Sequence, residues 1–83
     1  MNKKLLLEVY LPATQQTIEV KMPRQIKVWQ AMEILIEYIV KQDSGFIPTA
    51  DSILCDMETG NMFPLNEFLN RLGIHNGTKI MLI

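Results

Sequence analysis

Residues Thr17-Ile18-Glu19-Val20-Lys21-Met22 alternate polar and apolar without a break. That period of two commits the segment to a half-buried β-strand, because a helix repeats every 3.6 residues and would scatter the same apolar positions around its surface. Such a strand needs a partner, and the preceding residues Lys4–Leu11, rich in Leu, Val and Tyr, supply one. Pro12 ends that first strand, since it has no N–H to give to a ladder. Pro12-Ala13-Thr14-Gln15-Gln16 then forms a hairpin loop of ordinary length. With Ile18, Val20 and Met22 facing inward, the pairing turns Leu5, Leu7 and Val9 inward as well and sends Leu6, Glu8 and Tyr10 to the opposite face.

Pro23 closes the hairpin, and the period changes. Val28, Met32, Leu35 and Ile39 form one stripe at helical spacing and predict a helix over residues 27–42. Gln30, Glu33, Glu37 and Lys41 gather on the polar side, where Ile34 also falls. No Ser, Thr, Asp or Asn precedes the helix, so its N-terminus has no side-chain cap by sequence. Gly45, after Asp43-Ser44, suits a left-handed C-terminal cap. Trp29, Ile36 and Val40 widen the stripe on one flank, and Ala31 and Tyr38 on the other. The apolar arc then covers about 200°, where a helix lying on one sheet needs about 100°. The loop Phe46-Ile47-Pro48 is expected to cover these flanks. The other use for them is a homo-oligomer formed through the helix flank.

Further on, residues 52–56 read as a short strand whose alternation turns Ile53 and Cys55 inward and Leu54 outward. Residues 58–61 form a turn, and Asn61-Met62-Phe63 is a brief edge strand stopped by Pro64. Asn66 is placed to cap a single helical turn over residues 67–72, ended by Gly73. His75-Asn76-Gly77 leads into the closing strand, where Ile80 and Leu82 alternate with Lys79, Met81 and Ile83. With no repeat or linker, residues 1–83 are expected to make one domain. Hairpin, helix, short strands and a closing strand is the β-grasp order. It predicts an α+β fold with a mixed five-stranded sheet, order 2-1-5-3-4, packed on one helix. The last strand runs parallel to the first, and the helix forms the right-handed crossover between them.

This layout is similar to that of ubiquitin across nearly the whole chain. The stretch Leu72-Gly73-Ile74-His75-Asn76-Gly77-Thr78-Lys79-Ile80 is similar to the close of the YukD/EsaB proteins, small bacterial ubiquitin-like proteins encoded with type VII secretion systems. The length and a Trp early in the helix, Trp29, agree with that family. The resemblance implies an accessory or regulatory component of a type VII secretion system. Its implied partners are the machine's membrane components or its FtsK-like ATPase.

Composition narrows the classes. Lys and Arg number 8 against 9 Asp and Glu, for a net charge of -1, so no basic stripe awaits a phosphate backbone and nucleic acid is not expected as a partner. A hydrophobic content of 48% and a mean hydropathy of +0.11 are high for so small a domain and point to a surface that meets another protein. The single Cys55 allows no internal disulfide and fits a reducing compartment. Leu5-Leu6-Leu7 is broken at once by Glu8, which leaves no signal-peptide core. Nothing approaches the roughly 18 apolar residues of a membrane span. A cytoplasmic protein without membrane insertion is expected.

No constellation for catalysis is found. His75, the lone histidine, stands in a turn without a convergent partner. Cys55 reads as a small core hydrophobe. Asp51, Asp56 and Glu58 lack the dense spacing of a calcium loop. The expectation is therefore no enzyme, no cofactor and no metal. The remaining signal is apolar surface: Leu6, Tyr10, Leu54, Met81 and Ile83 are expected to share the sheet face away from the helix and to form a protein-binding patch. Two alternatives stay open, a sulfur carrier or protein modifier if the native C-terminus is longer, and a β-grasp adaptor of an unrelated complex. Conjugation requires a flexible, glycine-terminated carboxylate, whereas the sequence ends on Ile83 directly after an apolar strand. Incubation with ATP and cell lysate is expected to yield no thioester or isopeptide adduct on a gel. A covalent ladder that vanishes when Ile83 is deleted would refute this.

Overall fold

The computed structural model describes residues 4–42 and 51–83. Strand β1 (Lys4–Leu11) and strand β2 (Gln16–Pro23) form the hairpin, followed by helix α1 (Val28–Lys41), strand β3 (Leu54–Asp56), a 3-10 turn (Leu69–Arg71) and strand β4 (Lys79–Leu82). The strands lie in the order β2-β1-β4-β3. The expected Gly45 cap and the covering loop Phe46-Ile47-Pro48 fall outside the described residues.

The hairpin register pairs Leu5 with Met22, Leu7 with Val20 and Val9 with Ile18. Leu5, Leu7, Val9 and Leu11 are completely buried, while Leu6, Glu8 and Tyr10 are half-buried on the other face. In the loop the Thr14 N–H donates to the Leu11 carbonyl at 3.2 Å. Gln15 takes the left-handed conformation, φ 56°, that returns the chain to β2.

Chain order is closed by β4, which runs parallel to β1 with Val9 opposite Ile80 and Tyr10 opposite Met81. The Glu8 N–H donates to the Thr78 carbonyl at 3.1 Å, and the Gly77 N–H to the Leu6 carbonyl at 2.8 Å. One further rung is built from a side chain, because the Leu6 N–H donates to Asn76 Oδ1 at 2.9 Å. Gly77, at φ +85°, makes the bend that sets Asn76 beside β1. Antiparallel to β4 on its far side, β3 pairs Leu54 with Leu82, Cys55 with Met81 and Asp56 with Ile80.

Among the described residues the sheet has four strands rather than the expected five. Where a fifth was expected, Asn61-Met62-Phe63 makes an isolated bridge of Met62 to Cys55. Two constraints cut it short. A tight turn, in which the Gly60 N–H donates to the Asp56 carbonyl at 2.8 Å, occupies the residues up to Asn61. After the Phe63 N–H reaches the Leu54 carbonyl at 2.9 Å, Pro64 has no N–H to continue.

α1 buries Val28, Ala31, Met32, Leu35 and Ile39 against the inner face of the sheet, with Ile36 packed at the margin. Ile34, expected on the polar side, is half-buried. The missing N-cap is replaced by tertiary partners. The Val28 N–H donates to the Glu67 carbonyl at 3.0 Å and the Trp29 N–H to the Leu65 carbonyl at 3.1 Å. Gln30 Oε1 accepts the Lys27 N–H at 2.9 Å. Two of the donors that every helix start leaves without intrahelical partners are thus taken up by the segment before the 3-10 turn. That turn is shorter than the helical turn expected at 67–72 and begins after Phe68, with no side-chain cap from Asn66.

Leu35 is fully buried at the middle of the helical stripe. Leu35→Ala is expected to lower stability by roughly 2–5 kcal/mol through lost transfer energy and the cavity left behind. Chemical denaturation midpoints measure this, and a loss below about 0.5 kcal/mol, the size of an ordinary surface change, would contradict the packing described.

Candidate protein-docking site

Side chains facing away from α1 line up in rows across the strands. Thr17 pairs with Tyr10, Tyr10 with Met81, Met81 with Cys55, and Cys55 with Met62. At about 4.8 Å between strands, the apolar part of this row, Tyr10 to Met62, spans roughly 14 Å. The adjacent row holds Ile53 and Ile83, joined by two backbone hydrogen bonds of 3.0 Å, one donated by each residue. Met62 is 62% exposed and Ile83 53%, while Tyr10, Met81 and Ile53 are half-buried. On the other side of the Tyr10 row, Glu19 pairs with Glu8 and Glu8 with Lys79, a charged band across the same face.

This arrangement keeps Tyr10, Met81 and Ile83 of the expected patch together and corrects the other two members. Leu54 is 1% exposed and belongs to the core. It lies opposite Leu82, whose inward direction is imposed by β1 through β4, and a register one residue different would have inverted β3 entirely. Ile53 and Cys55 therefore face the outer surface, contrary to expectation. Cys55 is 3% exposed yet stands apart from the main core cluster, flanked by its cross-strand neighbours Met81 and Met62. Leu6 is outward but separated from Tyr10 by the Glu8 band, and it lies between Lys21 and the Asn76-Gly77 turn. Met62 was legible as an edge residue, but its face is set by its pairing to Cys55, which no local pattern announces.

The helix flanks carry a second set of exposed apolar residues. Trp29 is 41% exposed and Val40 55% on one flank, and Tyr38 is 38% exposed on the other.

The polar candidates are occupied in turns. The His75 N–H donates to Thr78 Oγ1 at 2.9 Å, and His75 Nδ1 lies 2.9 Å from the Asn76 carbonyl. Since a carbonyl only accepts, the proton of that contact is on Nδ1. Asp56 Oδ1 accepts the Glu58 N–H at 2.8 Å. Among the described residues no group of three His, Cys, Asp or Glu side chains converges as a metal site. No helix among them is long and apolar enough to cross a membrane.

No protein-family model matches the sequence, and a search of curated proteins finds no match either. Solved structures do share the fold. The ubiquitin-like domain of EccD5 from Mycobacterium xenopi superposes with a TM-score of 0.78 at 13% identity, over 99% of this chain and 94% of that one. A chain of the MycP5-free ESX-5 inner membrane complex superposes with a TM-score of 0.79 at 13% identity, over 99% of this chain and 21% of that one. A chain of the toluene 4-monooxygenase HD complex with the inhibitor 4-bromobenzoate reaches 0.79 at 11% identity, over 95% of both. At these identities the likeness establishes the fold, which is the ubiquitin-like β-grasp.

The two faces of the sheet predict opposite responses to a new carboxylate. Leu54→Glu puts an unpaired charge into the core and is expected to cost at least about 3 kcal/mol. Met62→Glu places it in solvent and is expected to change stability by no more than about 0.5 kcal/mol. Thermal or denaturant unfolding followed by circular dichroism separates them, and equal stabilities would refute the β3 register.

Proposed function

We propose that this chain is a ubiquitin-like protein-interaction module that docks without forming a covalent bond, as an accessory or regulatory component of a type VII secretion system. The observation that carries the docking is the apolar cluster of Tyr10, Met81, Ile53, Ile83 and Met62 on the outer face of the sheet, with Met62 and Ile83 more than half exposed. Each large apolar side chain moved fully from water into a contact contributes about 1.5–3 kcal/mol. A few such residues with a polar rim are enough for a micromolar complex. The Glu19–Glu8–Lys79 band beside the cluster supplies charges that fix a partner's orientation and reject wrong ones.

Two features support the pathway. Residues 72–80 resemble the close of the YukD/EsaB proteins. The same topology is found in the EccD5 domain and in the ESX-5 inner membrane complex, both of a mycobacterial type VII system. The partners in this reading are the machine's membrane components, or its FtsK-like ATPase, met on their cytoplasmic side. A second reading, a β-grasp adaptor of an unrelated complex, is favoured by the equally good superposition on the toluene 4-monooxygenase chain. It would use the same face for a different partner.

The test is a titration of the full chain against the cytoplasmic parts of the secretion components. Met62→Glu and Ile83→Glu, each checked for folding, are expected to weaken binding by about a hundredfold, since a buried unpaired carboxylate costs several kcal/mol. If both bind normally while a folded Trp29→Glu does not, the helix side is the docking surface. If the wild-type chain binds none of the components, the adaptor reading takes over.

A further inference from the structure

β2 lies at the edge of the sheet, and its hydrogen-bonding direction follows from β1. The Leu6 carbonyl and the Glu8 N–H turn toward β4, so Leu5, Leu7 and Val9 turn their backbone groups toward β2. Their partners Met22, Val20 and Ile18 answer them. Thr17, Glu19 and Lys21 therefore point their N–H and C=O groups away from the sheet, and no backbone hydrogen bond among the described residues uses them. Natural edges of this length are commonly blunted by charge or by Pro. Here the charges alternate in sign about Val20, with Glu19 on one side and Lys21 on the other, both exposed.

We propose that the free edge of β2 is a self-pairing site, at which a second copy of this chain adds its own β2 antiparallel with Val20 on the twofold axis. In this register Glu19 lies directly opposite Lys21 of the second copy, and Lys21 opposite its Glu19. These are the outward-pointing residues, so each pair exchanges both backbone hydrogen bonds. The Thr17 N–H reaches the second copy's Pro23 carbonyl, which asks nothing of the proline nitrogen. On the inner face Ile18, half-buried in one chain, comes opposite the second copy's Met22.

Neighbouring twofold registers are disfavoured. Moving the axis to Glu19 sets two glutamates opposite each other, and moving it to Lys21 sets two lysines opposite each other, both destabilising across strands. A second observation agrees. Within one chain Glu19 stands opposite Glu8, a like-charge pair, and neither Glu19 nor Lys21 holds an ion pair among the described residues. In the paired sheet the row reads Lys79, Glu8, Glu19, then Lys21 of the second copy, so two adjacent carboxylates are bracketed by two cations. The pairing joins two sheets edge to edge and leaves the Tyr10–Met62 surface of each copy open.

Sedimentation equilibrium on the full chain, from micromolar to millimolar concentration, tests this. The wild type is expected to dimerise, with amide exchange at Thr17, Glu19 and Lys21 slowing as concentration rises. Glu19→Lys alone and Lys21→Glu alone each set like charges opposite in both symmetric pairs and are expected to weaken the dimer at least about tenfold. An equimolar mixture of the two variants restores complementarity in a heterodimer and is expected to return to near wild-type strength. Circular dichroism confirms that both remain folded, as exposed edge residues allow. A wild type monomeric at every concentration overturns the proposal. So does a dimer indifferent to Glu19→Lys, which would place the contact elsewhere, such as the Trp29–Val40 flank. Folded variants whose mixture fails to recover would overturn it equally.

Discussion

The parallel pairing of β1 with β4 is the contact on which the rest of the sheet depends. It joins residues about seventy positions apart, Tyr10 with Met81 and Val9 with Ile80, and nothing local rewards it until the chain between them has folded. Once made, it turns Ile80 and Leu82 into the core beside Leu7, Val9 and Leu11. It also gives β3 its only ladder partner among the described residues, since β3 pairs with β4 and at its other edge meets the bridge to Met62. The side chain of Asn76 extends this pairing beyond the backbone, its Oδ1 accepting the Leu6 N–H.

The start of α1 shows a related economy. A helix led by Lys27, with no acidic residue in its first turn, looks unfavourable against the helix dipole. The carbonyls of Leu65 and Glu67 resolve it by accepting the first two helical N–H groups. Lys27 is drawn into an antiparallel bridge with Phe68, and the Ile26 carbonyl accepts the Leu69 N–H at 2.9 Å. The irregular stretch 64–69 is thus ordered by the helix it caps, and the helix entry angle is held by a segment forty residues further on.

The outer face of the sheet separates two kinds of surface. Toward β3 it is apolar and partly exposed, with Met62 and Ile83 at the margin. Toward β2 it is crossed by the Glu19–Glu8–Lys79 row and ends on Lys21 beside Leu6. The docking surface proposed for one half and the edge pairing proposed for the other are compatible, because pairing at β2 covers neither Tyr10 nor Met81.

The elements whose periodicity could be read within one segment were legible. The alternation of β1 and β2 gave both strands and the inward set Leu5, Leu7, Val9, Val20 and Met22, and the stripe Val28, Met32, Leu35, Ile39 gave the helix. The reason is physical: a strand or helix buried on one side carries its own record of which side that is. β3 carries no such record. In Ile53-Leu54-Cys55 three consecutive residues are apolar, so either phase satisfies local preference. Only the pairing of Leu54 with Leu82 decides it. That single tertiary choice moved Leu54 into the core and brought Ile53, Cys55 and Met62 to the outer face. Sequence alone determined the fold class and the two main layers, because burial periodicity is local. The membership of the outer apolar face was decided by tertiary structure, because it depends on which strand lies beside which, and in what register.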